Sequence, residues 1–403
     1  MKRTTYIGAA VLAVIVVGLL IAPLWISGSP YIMHLAITAF FYAILAASWS
    51  LLAGYAGQFS FAHMAFMAIG AYTAALYGTY FRVTSAPTNL CSEMSVFGWN
   101  LVLLDPIGVT QDGGLNCLDI AKQSMPAGTV IIEPSLWWGV LLGILVGGLW
   151  GFLIGALVLR LRSTYLALFT IGFSEIVRAV LSAELDITQG QSGLEMTPLF
   201  PGGLTVAGMT FDEANKIPPY YAMLALFLIC MVILGWIVIS RFGLFIRSIR
   251  EDEEAAAALG VHTVRYKVMV FTVTAMMAAA AGAVQGHYIG IITPNILIIL
   301  QMSLVIAMAV IGGLENIYAA ASGAIVLLFA LELLRNSFDI GPVSVDMTTW
   351  RLVFFGLVLM LTLRFFRNGL IYPIIMWISR RGMEEETVAR RNAASATNTE
   401  AGG

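Results

Sequence analysis

Charge is scarce in this chain. Only 11% of its 403 residues are Asp, Glu, Lys or Arg, where a soluble domain carries about a quarter. Three cysteines are too few for a disulfide scaffold, and four histidines spread along the chain make no metal-ligand pattern. A formal net charge of -2 gives no pointer to a nucleic-acid partner. No GxxxxGK[ST] nucleotide loop, HExxH zinc helix or GxSxG nucleophile elbow occurs. A membrane-bound enzyme therefore has no catalytic residues to assemble, and any energy the protein uses comes from an ion gradient or a partner. No period of 20 to 50 residues repeats, which excludes a solenoid.

What the chain does contain is apolar sequence, at 59% of residues. Stretches of about 20 residues, enough to cross a hydrocarbon core as a helix, predict an all-α polytopic membrane protein. The expected spans are 6–26, 31–52, 62–80, 136–159, 165–183, 220–239, 268–290, 297–311, 317–334 and 350–363, about ten helices with the eighth short. The first has the basic start of a signal peptide, but its apolar run is too long and no convincing cleavage site follows, so it reads as a retained span. With the N-terminus in the cytoplasm, 15 of the 21 Lys and Arg fall on that side. These are Lys2, Arg3, Arg160, Arg162, five in 241–267 (Arg241, Arg247, Arg250, Arg265, Lys267) and six from Arg364 to Arg391. Both termini are then cytoplasmic. A transmembrane domain over 1–381 would carry two long outer segments, 81–135 and 184–219. The first has the composition of an ordered, non-helical loop, and its Cys91 and Cys117 either pair in an oxidising compartment or stay free thiols. The tail 382–403 reads as disordered.

Gly139, Gly143, Gly147, Gly151 and Gly155 recur every fourth residue in the fourth span, one smooth stripe for close helix packing or for sliding during conformational change. Trp137 and Trp138 stand at its outer interface. Ala278, Gly282, Gly286 and Gly290 repeat the device in the seventh span. In GYAGQFSFAHMAFMAIGAYTAAL, Gly54 and Gly57 interrupt apolar sequence with a polar kink holding Gln58, Ser60 and His63. It reads either as a wet stretch of a translocation pathway or as a plain connecting loop. Glu175 and Arg178 are neighbours on one helical face, beside the pathway or snorkelling outward, and His287 is a packing residue or a pathway group. Glu332 and Arg335 repeat the spacing near an outer end. From 244 to 259 the residues favour a single helix, stopped by Gly260, with Thr263 capping the next span. Its acidic, alanine-rich surface suits insertion into a groove on another protein, or the stretch is a solvated loop helix.

REDEEAAAALGVHTVRYK resembles the coupling loop of ABC-importer permeases. LLAGYAGQFSFAHMAFMAIGAYTAAL, LRLRSTYLALFTIGFSEIVRAVL with TQGQSGL, and GHYIGIITP followed by MAVIGGLENIYAAASGAIVLLFALELLR are similar to the branched-chain amino-acid permease family in particular. The resemblance implies an importer permease fold in a bacterial inner membrane, with a cytoplasmic coupling helix. It also implies a second, usually non-identical permease, a periplasmic solute-binding protein, and two cytoplasmic ATPases that hold the ATP and Mg, leaving no cofactor in this chain. Glu251, Asp252, Glu253, Glu254, Ala255, Ala256 and Gly260 are then the ATPase-coupling residues. Gly54, Gly57, Gln58, Ser60, His63, Glu175, Arg178 and His287 border the path. The 81–135 insertion, and Glu315 and Asn316 in the GGLEN turn, depart from the family pattern. The function expected is import of branched-chain or related amino acids. A permease for urea or amides, or a gradient-driven carrier or channel using Glu175, Arg178 and His287 for ions, are the alternatives.

Overall fold

The computed structural model describes residue 14 and residues 16–83, 93–96, 99–103, 131–132, 135–158, 163–185, 187–200, 204–206, 209–211, 215–334, 338–340, 343–345, 347–366, 369–371 and 373. The expectations on Cys91, Cys117, Arg160, Arg162, Arg335 and the tail 382–403 lie outside these residues.

Helices stand at all ten places where apolar spans are expected. They are α1 (Val16–Ile26), α2 (Pro30–Ser50), α3 (His63–Thr79), α4 (Leu136–Val158), α5 (Ser163–Ala183), α6 (Ile217–Ile239), α9 (Thr263–Ile289), α10 (Ile299–Gly312), α11 (Ile317–Leu333) and α12 (Met347–Phe365), with α7 (Arg241–Glu251) and α8 (Glu253–Ala258) forming a loop between α6 and α9. Among the described residues, five segments are long and apolar enough to cross a membrane alone: Pro30–Tyr55, Leu136–Val158, Tyr165–Ala183, Ile217–Ile239 and Thr263–Ile289. At 17 residues, α3 is only about 25 Å long, short of a hydrocarbon core of about 30 Å. α10 and α11 are bent by 117° at the break between them, a broken span or a re-entrant elbow.

Contacts sort the helix ends into two groups. At one end Lys216 Nζ donates to Pro30 O (3.2 Å), the Tyr31 hydroxyl meets Glu332, and His34 Nδ1 lies 2.8 Å from the Tyr288 hydroxyl. At the other, Ser50 Oγ donates to Leu314 O (2.8 Å), Arg250 meets Gly54, and Leu370 N donates to Ile311 O (2.8 Å). α2 and α9 form the core, with 83% and 72% of their apolar lengths buried against 22% for α5. α9 packs on α3 and α4, and α2 on α6 and α11.

Small residues set these distances. In lipid the hydrophobic effect does not drive helices together, so close van der Waals contact between backbones must do it. Gly139, Gly143, Gly147, Gly151 and Gly155 are all buried on one face of α4. A Cβ on Gly143 would come within 2.5 Å of Gly70 O, and on Gly147 or Gly151 it would run into Ala279 or Ala275 of α9. Gly282 abuts Met67 of α3 in the same way. Gly290 is no part of this stripe. It is the left-handed C-cap of α9, with φ 85° and its N–H bonded to Gly286 O. Trp137 and Trp138 are exposed at the start of α4.

Short strands lie between the helices. β1 (Tyr80–Val83), β2 (Glu93–Val96), β3 (Trp99–Leu103) and β4 (Ile131–Ile132) form an antiparallel sheet ordered β2-β3-β1-β4. β5 (Leu194–Glu195) pairs with β8 (Ile291–Ile292), placing Leu194 opposite Ile292. β6 (Leu204–Val206) and β7 (Met209–Phe211) pair with each other, as do β9 (Phe338–Ile340) and β10 (Val343–Val345).

Gly282→Val is expected to destabilise the α3–α9 contact by about 1–3 kcal/mol through overpacking, read as a lowered thermal midpoint of the purified protein. Gly172→Ala on α5, where a Cβ meets nothing within 4 Å, is the matched control and should leave the midpoint unchanged.

Candidate functional site

The helix expected over 244–259 is two helices. Ser240 caps α7, its Oγ accepting from Gly243 N at 3.4 Å. Gly243, Ile246 and Ile249 are buried beneath α7, and Phe242 and Phe245 lie against Tyr266 at 5.2 and 5.1 Å between ring centroids. The break is at Asp252, which is extended (φ -155°, ψ 107°) and whose carboxylate accepts from Ala255 N at 2.9 Å. A short acidic side chain that bonds nearby backbone competes with helix continuation and favours a fresh N-terminus. Glu251 closes α7 and Asp252 starts α8. α8 ends as expected at Gly260, at φ 86°. Gly260 N donates to Ala257 O (2.9 Å) and Val261 N to Ala256 O (3.1 Å), the paired bonds of a left-handed glycine stop. Thr263 is not the cap of α9: His262 holds that position and makes no side-chain capping bond.

Burial divides the acidic stretch. Ala256 is only 3% exposed and faces the protein's own interior, which removes it from any outward contact. Glu253 is bonded to Lys267 at 2.5 Å. Glu251, Glu254, Ala255 and Gly260 are exposed, as is Leu259, an apolar side chain 86% exposed at the tip. Arg247 and Arg250 are exposed but reach back to the bundle: Arg247 stacks over the Tyr55 ring at 4.8 Å, and Arg250 bonds Gly54 O and Glu315. The Arg250–Glu315 pair is partly exposed on both sides, so water and salt leave it under about 1 kcal/mol of stability.

The polar kink lies at this same end. α2 widens into a π-helical turn, Leu51–Tyr55, and Gln58 N reaches back to Leu52 O at 3.0 Å. Gly57 has φ 68° and packs on the Arg250 side chain. Non-helical backbone in an apolar medium must find partners within the protein. Trp49 Nε1 donates to Ser60 O (2.8 Å), Ala62 N to Ser60 Oγ (3.2 Å), and Phe61 N to Thr170 Oγ1 of α5 (3.0 Å). Gln58 and His63 are buried at 3% and 0% exposure, yet both amide atoms of Gln58 and both ring nitrogens of His63 lack a partner among the described residues.

The remaining expected residues stand elsewhere. Arg178 bonds Glu175, Nε to Oε2 at 2.8 Å and Nη2 to Oε2 at 2.7 Å, on the open side of α5 with both side chains over a third exposed. Thr170 links that helix to the kink, and Glu175 lies five residues on, about 7.5 Å along the axis. His287 is at the opposite end of the bundle. Its Nδ1 is 2.8 Å from Thr197 O, and Leu199 N donates to His287 O at 3.2 Å, fastening residues 197–199 to the end of α9. Gly78 sits beside the His287 ring and is 15 residues from His63, so His287 is about 22 Å from the kink along α3. The structure therefore gathers Gly54, Gly57, Gln58, Ser60 and His63, and leaves His287 out.

Sequence reasoning missed Arg250 as an internal contact, Thr170, and the pairing of the Tyr42 hydroxyl with Gln301 (3.3 Å). It also missed Gln285, buried in α9 with an Oε1 that has no partner among the described residues. A lone amide in an alanine-rich span was the available signal for that last one. Among the described residues no three His, Cys, Asp or Glu side chains converge as a metal site.

Residues 31–363 match the family described as "Branched-chain amino acid transport system / permease component". The chain is 31% identical over 243 residues to the high-affinity branched-chain amino acid transport system permease protein LivM of Salmonella typhimurium, covering 54% of this chain and 56% of that one. LivM of Escherichia coli K12 is 33% identical over 227 residues, at 50% and 52% coverage. LivH of the same strain, a permease protein of the same transport system by name, is 31% identical over 151 residues, at 37% and 48% coverage. The matches to LivM thus span about half the length of those relatives. No solved structure is significantly similar to the chain. With the family's pattern running through nearly all of the helical bundle, the chain belongs to the branched-chain amino acid transport permease family.

Proposed function

We propose that the protein is the membrane-spanning half of an ATP-driven importer that carries branched-chain amino acids into the cytoplasm. The observation that carries this reading is the family match over residues 31–363. Within it, the end of the bundle that holds α7 and α8 faces the cytoplasm, as the distribution of Lys and Arg favours, and both termini lie on that side. The exposed face of α8, with Glu254, Ala255 and Leu259, docks in a groove on a separate ATPase that binds ATP and Mg. A second, related permease completes the path, and a periplasmic binding protein delivers the solute to the other end. The chain itself hydrolyses nothing.

Gln58 and His63 fit the inner part of that path. A buried polar group without a partner costs about 1–3 kcal/mol, and four such atoms together favour a site that pairs with water or with the polar end of a passing amino acid. Both side chains are neutral when unprotonated and offer donors and acceptors alike, which suits weak, transient contact with a zwitterion. A gradient-driven carrier has less support. Glu175 is occupied by Arg178, and His287 stands about 22 Å from the kink.

Leucine uptake by proteoliposomes containing the permease pair and ATPases tests the reading. It should require ATP and the binding protein, and uptake driven by an ion gradient without ATPases would remove it. Leu259→Asp combined with Glu254→Lys is expected to lower ATPase co-purification about tenfold, a typical effect of losing an interface hot spot, with the permease itself intact. Normal co-purification would place the docking surface elsewhere. Gln58→Leu should leave thermal stability equal or higher, because an unpaired buried amide is replaced by apolar atoms, yet reduce uptake; wild-type uptake would take Gln58 out of the path. Asp252→Ala should cost about 1 kcal/mol of α8 stability, seen as faster amide hydrogen exchange at residues 253–258.

A further inference from the structure

We propose that Arg250 is a positioning residue for transport: its guanidinium joins loop 240–262 to the helix break at Gly54 and to the elbow at Glu315, so that the three move as one body. The inference rests on the transport reading above. It concerns how motion enters the bundle, not where the ATPase docks.

Two of the three parts are already joined without Arg250. Ser50 Oγ donates to Leu314 O at 2.8 Å, and Gly54 lies so close to the Leu314 carbonyl that a Cβ would not fit between them. The π-helical turn and the elbow between α10 and α11 therefore form one unit. α7 reaches that unit through one face, where Arg247 and Arg250 are a helical turn apart. Arg247 engages Tyr55, its guanidinium over the ring and beside the hydroxyl. Arg250 spans both parts, with Nη1 donating to Gly54 O and Nη2 to the Glu315 carboxylate. Its stem rests on Gly57, where a Cβ would stand 3.2 Å from Arg250 Cγ. A planar guanidinium can hold two acceptors in fixed directions, whereas a lysine is a point charge on a flexible stem.

Among the described residues, Arg250 is the one side-chain partner of Glu315. The N-terminus of α11 is capped by Asn316, whose Oδ1 accepts from Tyr318 N (2.9 Å) and Ala319 N (3.2 Å). The Glu315 side chain is 59% exposed, so burial does not dictate its place. Any polar residue would serve an exposed turn; a carboxylate specifically serves Arg250. Displacement of the α8 tip then passes through α7 and Arg250 to the non-helical backbone beside Gln58 and His63 and to the bent α10–α11 pair together.

The test uses the complete transporter in proteoliposomes and reads radiolabelled leucine taken up per ATP hydrolysed. Arg250→Gln, Arg250→Lys and Glu315→Gln are each expected to lower that ratio about fivefold, the scale on which single residues alter coupling, with subunit stoichiometry and ATP hydrolysis retained. Arg250→Glu should be worse, and Arg250→Glu with Glu315→Arg should recover part of the loss. Wild-type ratios in the single variants overturn the proposal, as does a double exchange no better than Arg250→Glu. Loss of ATPase subunits from both Arg250→Gln and Glu315→Gln also overturns it, since the pair would then be a docking element. If instead the unaltered complex takes up leucine on an ion gradient without ATP, the transport reading fails before Arg250 is at issue.

Discussion

The bundle depends on backbone-to-backbone contact among α3, α4 and α9. Surrounded by lipid, these helices gain nothing from hiding apolar side chains from one another, since lipid tails are equally apolar. What remains is dispersion, of which a gap of about 0.5–1 Å forfeits a quarter to a half. The rows of Gly and Ala on α4 and α9 bring main chains within van der Waals reach over several turns. Every other placement in the core follows from that slab, because α9 also packs on α2 and so fixes the second group of helices, α2, α6, α10 and α11.

The helical elements were legible because one property, uninterrupted apolar sequence, dictates them. Lipid permits few alternatives to helix, so the spans after the first could be placed to within about five residues. The Gly143 to Gly155 stripe was legible for a related reason: its period equals that of the helix surface, and it marks a face without reference to a partner. Less was visible of the loop over 241–267. Helix propensity favours one continuous element across Asp252, and only the local bond to Ala255 N decides otherwise. Whether Ala256 faces in or out, and whether Glu253 is free or held by Lys267, depends on neighbours brought from α9. Thr170 and Arg250 were invisible because their partners are 109 and 65 or more residues away, and a single sequence carries no trace of such pairings.

The candidate groups sort by bundle end. One end holds the kink, the α7–α8 loop and the α10–α11 elbow. The other holds His287, Thr197 and the Leu194–Ile292 pairing. Polar backbone is thus concentrated at both mouths, while the middle is crossed by small and apolar residues. Such a division suits a conduit whose ends rearrange around a stiff waist, and it explains why a sequence search for one compact polar centre gathers residues from both ends.

α8 has six residues, far fewer than an isolated helix needs to offset the entropy of its first turn. Its order is held from the ends, by the Asp252 carboxylate at the start and the glycine stop at Gly260, with Ala256 as a single buried foot. A partner meeting this tip would find it already shaped. Little conformational freedom is left to surrender on contact, and that favours rapid, repeatable association over tight capture.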